Sequence, residues 1–192
     1  TLTPTSFDEA GYEKGYEEGM KLISKLLKNI SFKKSLLISS TRVYQDSEEP
    51  INELSNINLE DFRAKSLLES EAIYSNEINS SQKTIFRLSG LYDPEMKDKI
   101  FYKQVDEFQN KLIPISSNLN RLSRDQAARI IMNFCINKTD LLLLNVSEPT
   151  VLAQERFKML FPEKNFDDFF RIDNPGKQLD ISNLLKSKLL DG

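Results

Sequence analysis

The sequence predicts an α/β fold built on a mostly parallel sheet, and three observations carry that expectation. Short apolar runs (Leu36-Leu37-Ile38, Thr84 to Leu88, Leu141 to Val146) have the length and character of strands buried on both faces. Segments with helical periodicity separate them, as in a sheet built by crossover connections. The first run ends abruptly in the hydroxyls Ser39-Ser40-Thr41, at the strand end where open α/β sheets bind ligands.

Each element has its own signal. Ser6-Phe7-Asp8-Glu9 reads as a capping box opening a helix. Behind it Tyr12, Tyr16, Met20, Ile23, Leu27 and Ile30 draw one apolar stripe, with acidic residues early and lysines late. A strand over Ser35 to Ser39 follows, then a polar loop from Gln45 to Asn58 containing Pro50. Asn58 is placed to cap a helix from Leu59 to about Tyr74, and Thr84 to Leu88 forms the second strand, closed by Ser89-Gly90 and the Tyr92-Asp93-Pro94 turn. Lys97 to Gln109 reads as a helix, and Ser123-Arg124-Asp125-Gln126 caps another that runs through Ala127, Ile130, Ile131 and Phe134. After the strand Leu141 to Val146, a helix from Val151 to Leu160 is stopped by Pro162. An apolar cluster from Phe166 to Phe170, the Asn174-Pro175-Gly176 turn and a short helix through Leu184, Leu185 and Leu189 complete the chain.

Composition narrows the chemistry. The 192 residues suit one domain, with 26 basic against 29 acidic residues, a formal charge of −3 and no basic block to favour a nucleic-acid or anionic-membrane partner. No run of 18 apolar residues and no signal peptide is present, so a soluble, cytoplasmic protein is expected. The absence of histidine removes Ser-His-Asp and Cys-His catalysis and the usual zinc and iron sites. Acid–base work therefore falls to Tyr, Lys, Asp or Glu. The single cysteine, Cys135, is expected to be a small buried hydrophobe.

Five segments in order, Ser39 to Tyr44, Lys65 with Glu69, Arg87 to Pro94, Asn120 to Ala127 and Asn145 to Pro149, resemble the extended short-chain dehydrogenase/reductase superfamily, most closely its nucleotide-sugar epimerase/dehydratase group and atypical relatives. Ser39-Ser40-Thr41-Arg42-Val43-Tyr44 resembles that family's Ser-Ser-Thr-x-Val-Tyr segment, with Gln45 where Gly is usual. Lys65 and Glu69 resemble the tail of its Tyr-x-x-x-Lys helix. Arg87 to Pro94 resembles its Arg-x-x-x-x-Tyr-Gly-Pro strand end, with Asp93 in place of Gly. Asn120-Arg121-Leu122-Ser123 through Ala127 resembles its Asn-Arg-Ile-His segment, with Ser123 in place of His, and Asn145-Val146-Ser147-Glu148-Pro149 resembles its late Asn-Val strand.

The resemblance implies the C-terminal half of a Rossmann-like sheet of about three strands with a small substrate-side lobe. Residues 1–192 would form a single partial domain, with the sheet and helices in about 1–90 and the late strand and substrate side in 91–192. It implies an NAD(P)-dependent protein of the oxidoreductase/isomerase class, with Ser40, Asp61 and Lys65 at the catalytic positions. Ser39, Ser40, Lys65, Ser89 and Gly90 would face the cofactor. The alternatives are a non-catalytic binding or regulatory protein on a degenerate fold, and an unrelated α/β domain.

Two departures shape that implication. Asp61 stands where the family's acid–base tyrosine would be, and an ionised carboxylate has no proton to give at neutral pH. Its structural reading is a carboxylate in the first helical turn, worth about 0.3–1 kcal/mol, with Lys65 as its i,i+4 partner. The dinucleotide-binding Gly-x-x-Gly-x-x-Gly turn is also missing: Gly11, Gly15 and Gly19 lie within a helical stretch, where small residues would allow close packing on the sheet. Aligned with the family, the chain begins just after the fourth strand, as a processed, trimmed or partial chain would. NAD or NADP is then expected only with an N-terminal Rossmann half present, and not for this chain alone. The expected partners are an N-terminal segment or second chain completing the sheet, a homodimer mate, and a nucleotide-sugar or small-molecule substrate. Tyr44, the tyrosine nearest the first strand end, replaces the missing acid only if its hydroxyl turns into the cleft.

Overall fold

A computed structural model describes residues 2–93, 101, 112–137 and 140–190. The first helix is α1 (Glu9–Tyr12), continued by a π-helical stretch (Glu13–Glu18) and then by α2 (Gly19–Leu27). The strand β1 (Ser35–Ser40) leads to α3 (Phe62–Glu77) and β2 (Lys83–Leu88), followed by the short β3 (Gly90–Tyr92). Then come β4 (Ile113–Ser116), β5 (Asn118–Leu119), β6 (Arg121–Ser123) and α4 (Arg124–Ile136). The chain continues through β7 (Leu143–Val146), β8 (Val151–Leu152), α5 (Ala153–Leu160), β9 (Phe170–Asn174) and α6 (Ser182–Lys186). The expected helix over Lys97 to Gln109 lies outside the described residues.

The main sheet is parallel and three-stranded in the order β1-β2-β7, so the expected α/β architecture is the one found. Alternation along the strands gives each face its own core. Leu37 and Ile85 pack with Met20, Tyr74 and Ile78 under α2 and α3. Phe86, Leu88, Leu144 and Val146 pack on the other face against Ile130 and Phe134 of α4 and Leu184 of α6. The aromatic cluster at Phe166 and Phe170 joins Phe157 and Phe101 in a separate core, with edge-on rings such as Phe101–Phe170 at 5.4 Å. Phe101 is fully buried in this core.

Several local expectations are corrected. The cap of α1 is Asp8, whose Oδ1 accepts from Gly11 N at 2.8 Å; Ser6 instead donates its hydroxyl to that carboxylate. Asn58 does not cap α3 but accepts from the amides of Glu60 and Asp61, and Asp61 is the cap itself. The glycines of the first helix do not meet the sheet. A Cβ on Gly15 would come within 2.2 Å of the Thr3 carbonyl, because residues 3–6 lie across the helix there. Thr5 N donates to the Gly11 carbonyl at 3.0 Å, next to the turn that widens into the π-helical stretch. Cys135 is exposed, because α4 buries the stripe Ala127, Ile130 and Phe134, and position 135 faces away from it. The segment expected to open a helix at Val151 first pairs as β8 with β5, and α5 begins at Ala153.

Candidate functional site

The parallel register sets one polar row across the sheet, one step before the strand ends. Ser39 of β1 lies opposite Arg87 of β2, and Arg87 opposite Asn145 of β7, all three facing α3. Glu71 of α3 closes this row. Its carboxylate accepts from Arg87 Nε at 3.0 Å and Nη2 at 2.6 Å, and from Ser39 Oγ at 2.5 Å. Both partners of this bidentate pair are almost fully buried, so each charge depends on the other for its solvation. Tyr44 has no exposed surface: its hydroxyl donates to Asn145 Oδ1 at 2.7 Å, and the Arg87 guanidinium lies 4.9 Å from its ring centroid. Burial pushes the Tyr44 phenol above its ordinary value, and the nearby Arg87 charge recovers only part of that shift. Its hydroxyl does not turn into a cleft. Glu53, from the loop after Tyr44, accepts from Asn145 N and from Asn183 Nδ2, both at 2.8 Å, tying that loop to β7 and α6.

Beyond the row, at the strand ends, a second group forms around the start of α3. Ser40 Oγ accepts from Arg42 N at 3.2 Å, and the Arg42 guanidinium lies 3.8 Å from Asp61 Oδ2. Asp61 Oδ1 accepts from Arg63 N at 2.9 Å. Its ion pair is therefore with Arg42, and the expected i,i+4 pairing with Lys65 is corrected; Lys65 stands exposed one turn along. Lys177 approaches from the other side, its Nζ 3.7 Å from Asp46 Oδ1. Burial lowers the Lys177 ammonium from its ordinary value, against the pull of Asp46 and Asp61 and in the same direction as Arg42.

The backbone holds Lys177 there. Gly176 adopts φ +68°, and a Cβ would come within 2.7 Å of Ser116, so only glycine makes this turn without strain. Asn120 Nδ2 donates to the Lys177 carbonyl at 2.6 Å. Ile51 N donates to the Gln178 carbonyl and Asp180 N to the Ile51 carbonyl, both at 2.8 Å, across a parallel bridge between Ile51 and Leu179. The strap from Gly176 to Asp180 is thereby fastened over the loop after Tyr44.

Of the residues singled out from the sequence, Ser40 and Asp61 are brought together through Arg42, Ser39 is committed to Glu71, and Lys65 sits apart on the exposed face of α3. Ser89 and Gly90 follow the end of β2, and Ser89 Oγ is buried with no hydrogen-bond partner among the described residues. That orphaned hydroxyl fits a ligand group at the strand ends. For a whole dinucleotide the fit is partial, since the space that Gly11 and Gly15 open is filled by this chain's own residues 3–6. Sequence reasoning missed Glu71, Asp46 and Lys177; for Lys177 the available signal was its position directly after the Pro175-Gly176 turn.

No family model and no curated protein matches the sequence. Solved structures do match the fold. A UDP-glucuronic acid 4-epimerase from Bacillus cereus, in complex with UDP-glucuronic acid and NAD, aligns over 95% of this chain and 63% of its own, at 14% identity and a TM-score of 0.72. A protein from Methylobacillus flagellatus assigned as an NAD-dependent epimerase/dehydratase aligns over 92% of this chain and 65% of its own, at 25% identity and a TM-score of 0.67. A UDP-N-acetylglucosamine 4-epimerase from Methanobrevibacter ruminantium, in complex with UDP-N-acetylmuramic acid, gives 15% identity and a TM-score of 0.69. The chain thus spans about two thirds or less of the length of these proteins and carries their fold over that span. This is the fold that the extended short-chain dehydrogenase/reductase resemblance implied.

Proposed function

We propose, from a fold shared with NAD-dependent UDP-sugar epimerases, that this chain forms the substrate side and the nicotinamide-facing strand ends of an NAD(P)-dependent epimerase/dehydratase-like protein. In this reading the tyrosine route of proton transfer is lost at Asp61. One observation carries it: the parallel sheet brings Ser40 and the unsatisfied Ser89 hydroxyl to one end. The nucleotide sugar would lie against that end. The nicotinamide of a dinucleotide would meet Ser40, Ser89 and Gly90, and a glycine-rich βαβ unit in a segment completing the sheet beyond β1 would hold the pyrophosphate.

Calorimetric titration with NAD, NADP and UDP-glucose tests this reading. The 192-residue chain alone is expected to show no micromolar affinity for either dinucleotide, and the protein expressed from its complete reading frame is expected to bind a dinucleotide and the nucleotide sugar. Tight dinucleotide binding by the chain alone, or none by the complete protein, overturns it. A second reading, a non-catalytic binding protein on the same fold, draws support from Asp61, which is spent on capping α3 and pairing with Arg42. Under that reading the complete protein binds UDP-glucose and never converts it.

A further inference from the structure

We propose that Lys177 is the group that exchanges a proton with the substrate hydroxyl, reaching the strand ends from the Gly176–Asp180 strap in place of a tyrosine on α3. This rests on the oxidoreductase reading above. The start of α3 cannot supply the proton carrier, because Asp61 accepts from Arg63 N and faces Arg42. Tyr44 is sealed under Arg87 and bonded to Asn145. Lys177 is a titratable group beside Asp46, Arg42 and Asp61 whose position is fixed by backbone geometry: the left-handed Gly176, the Asn120 amide on its carbonyl and the Ile51–Leu179 bridge.

The charges around it suit a proton acceptor. Asp46, Arg42 and Asp61 are the charged groups that act on it, and its ion pair with Asp46 is a long one, at 3.7 Å. The amine is placed by its backbone, and its lone pair can accept a proton when it is neutral. Burial favours that neutral form. In the oxidising direction a bound oxidised nicotinamide dinucleotide would take the carbinol hydride. The hydroxyl proton passes to the Lys177 amine, and the C–O single bond becomes a carbonyl; reduction returns hydride and proton by the same path.

The test uses the protein expressed from its complete reading frame, UDP-glucose and NAD, with two readouts. The first is the titration of its lysines followed by NMR. The Lys177 resonance is expected to titrate below the bulk of the lysines, and Asp46→Asn, which removes a charge that favours the ammonium, is expected to lower it further. The second is kinetic. Lys177→Met is expected to lower kcat by about 100-fold or more with little change in UDP-glucose affinity. Asp46→Asn is expected to move the acid limb of the pH profile to lower pH. Tyr16→Phe, which removes the half-buried phenol that also feels Arg42, is expected to leave turnover in place. Turnover that survives Lys177→Met, or a Lys177 that titrates with the other lysines, overturns this proposal alone. A complete protein that transfers no hydride overturns the oxidoreductase reading, and this proposal with it.

Discussion

At the scale of single residues, chemistry and stability pull in different directions in this molecule. The Glu71–Arg87 pair is a structural commitment: both side chains are buried and no water can replace either partner. Glu71→Ala leaves a buried guanidinium uncompensated and should destabilise the protein by about 3–5 kcal/mol, read from urea or thermal unfolding. Asp61 is open to a sharper test, because its two roles separate by substitution. Asn caps a helix as well as Asp does, so Asp61→Asn should stay within about 0.5 kcal/mol of the parent, whereas Asp61→Ala should cost about 1 kcal/mol. A loss in Asp61→Asn as large as in Asp61→Ala would show that charge, not capping, is what the position supplies. Lys177 has the opposite sign. Its ammonium is disfavoured by folding, so the unfolded chain binds more protons than the folded one in the window between the lowered value and the ordinary lysine value. Stability attributable to this group therefore rises with pH through that window, and its charged form costs stability at neutral pH. The sequence shows Lys177 only as a residue after a turn, since its neighbours Asp46, Arg42 and Asp61 are brought to it by a fold and not by spacing.

At the scale of elements, what was legible and what was not divides along local and non-local causes. The strands were legible because burial on both faces demands unbroken apolar runs, and their ends moved by two residues at most between expectation and structure. The cap at Ser123 was legible too: its hydroxyl accepts from Gln126 N at 3.2 Å. The partner for its own amide comes from elsewhere, as Glu148 Oε1 accepts from Ser123 N at 2.8 Å. The caps at Ser6 and Asn58 misled because both residues make local turns just ahead of an aspartate that does the capping. The π-helical stretch has no signature in periodicity, and residues 2–6 pack across its glycines. The polar row Ser39, Arg87 and Asn145 was equally hidden, because it exists only once three strands take one register.

At the scale of the whole molecule, the sheet has an open side. Among the described residues β1 pairs with β2 alone, and its apolar side chains are partly covered: Leu37 is buried, while Leu36 and Ile38 are half-buried. An open strand edge of this kind invites another chain. The isolated 192-residue chain is accordingly expected to sediment as an oligomer or to precipitate, and a stable monomer with a cooperative melt would show that the edge is protected from within. No helix among the described residues is long and apolar enough to cross a membrane. The order of the sheet also carries a consequence for biosynthesis. The central strand β2 takes its last neighbour from far downstream: the Thr84 hydroxyl reaches the Leu141 carbonyl 57 positions later. On the ribosome, the β1-β2 pair emerges with the bare flank that β7 will later cover, and it stays bare for as long as translation takes to reach Val146. The yield of native sheet is accordingly expected to fall when elongation through residues 89–146 is slowed, read as the soluble fraction of the expressed protein.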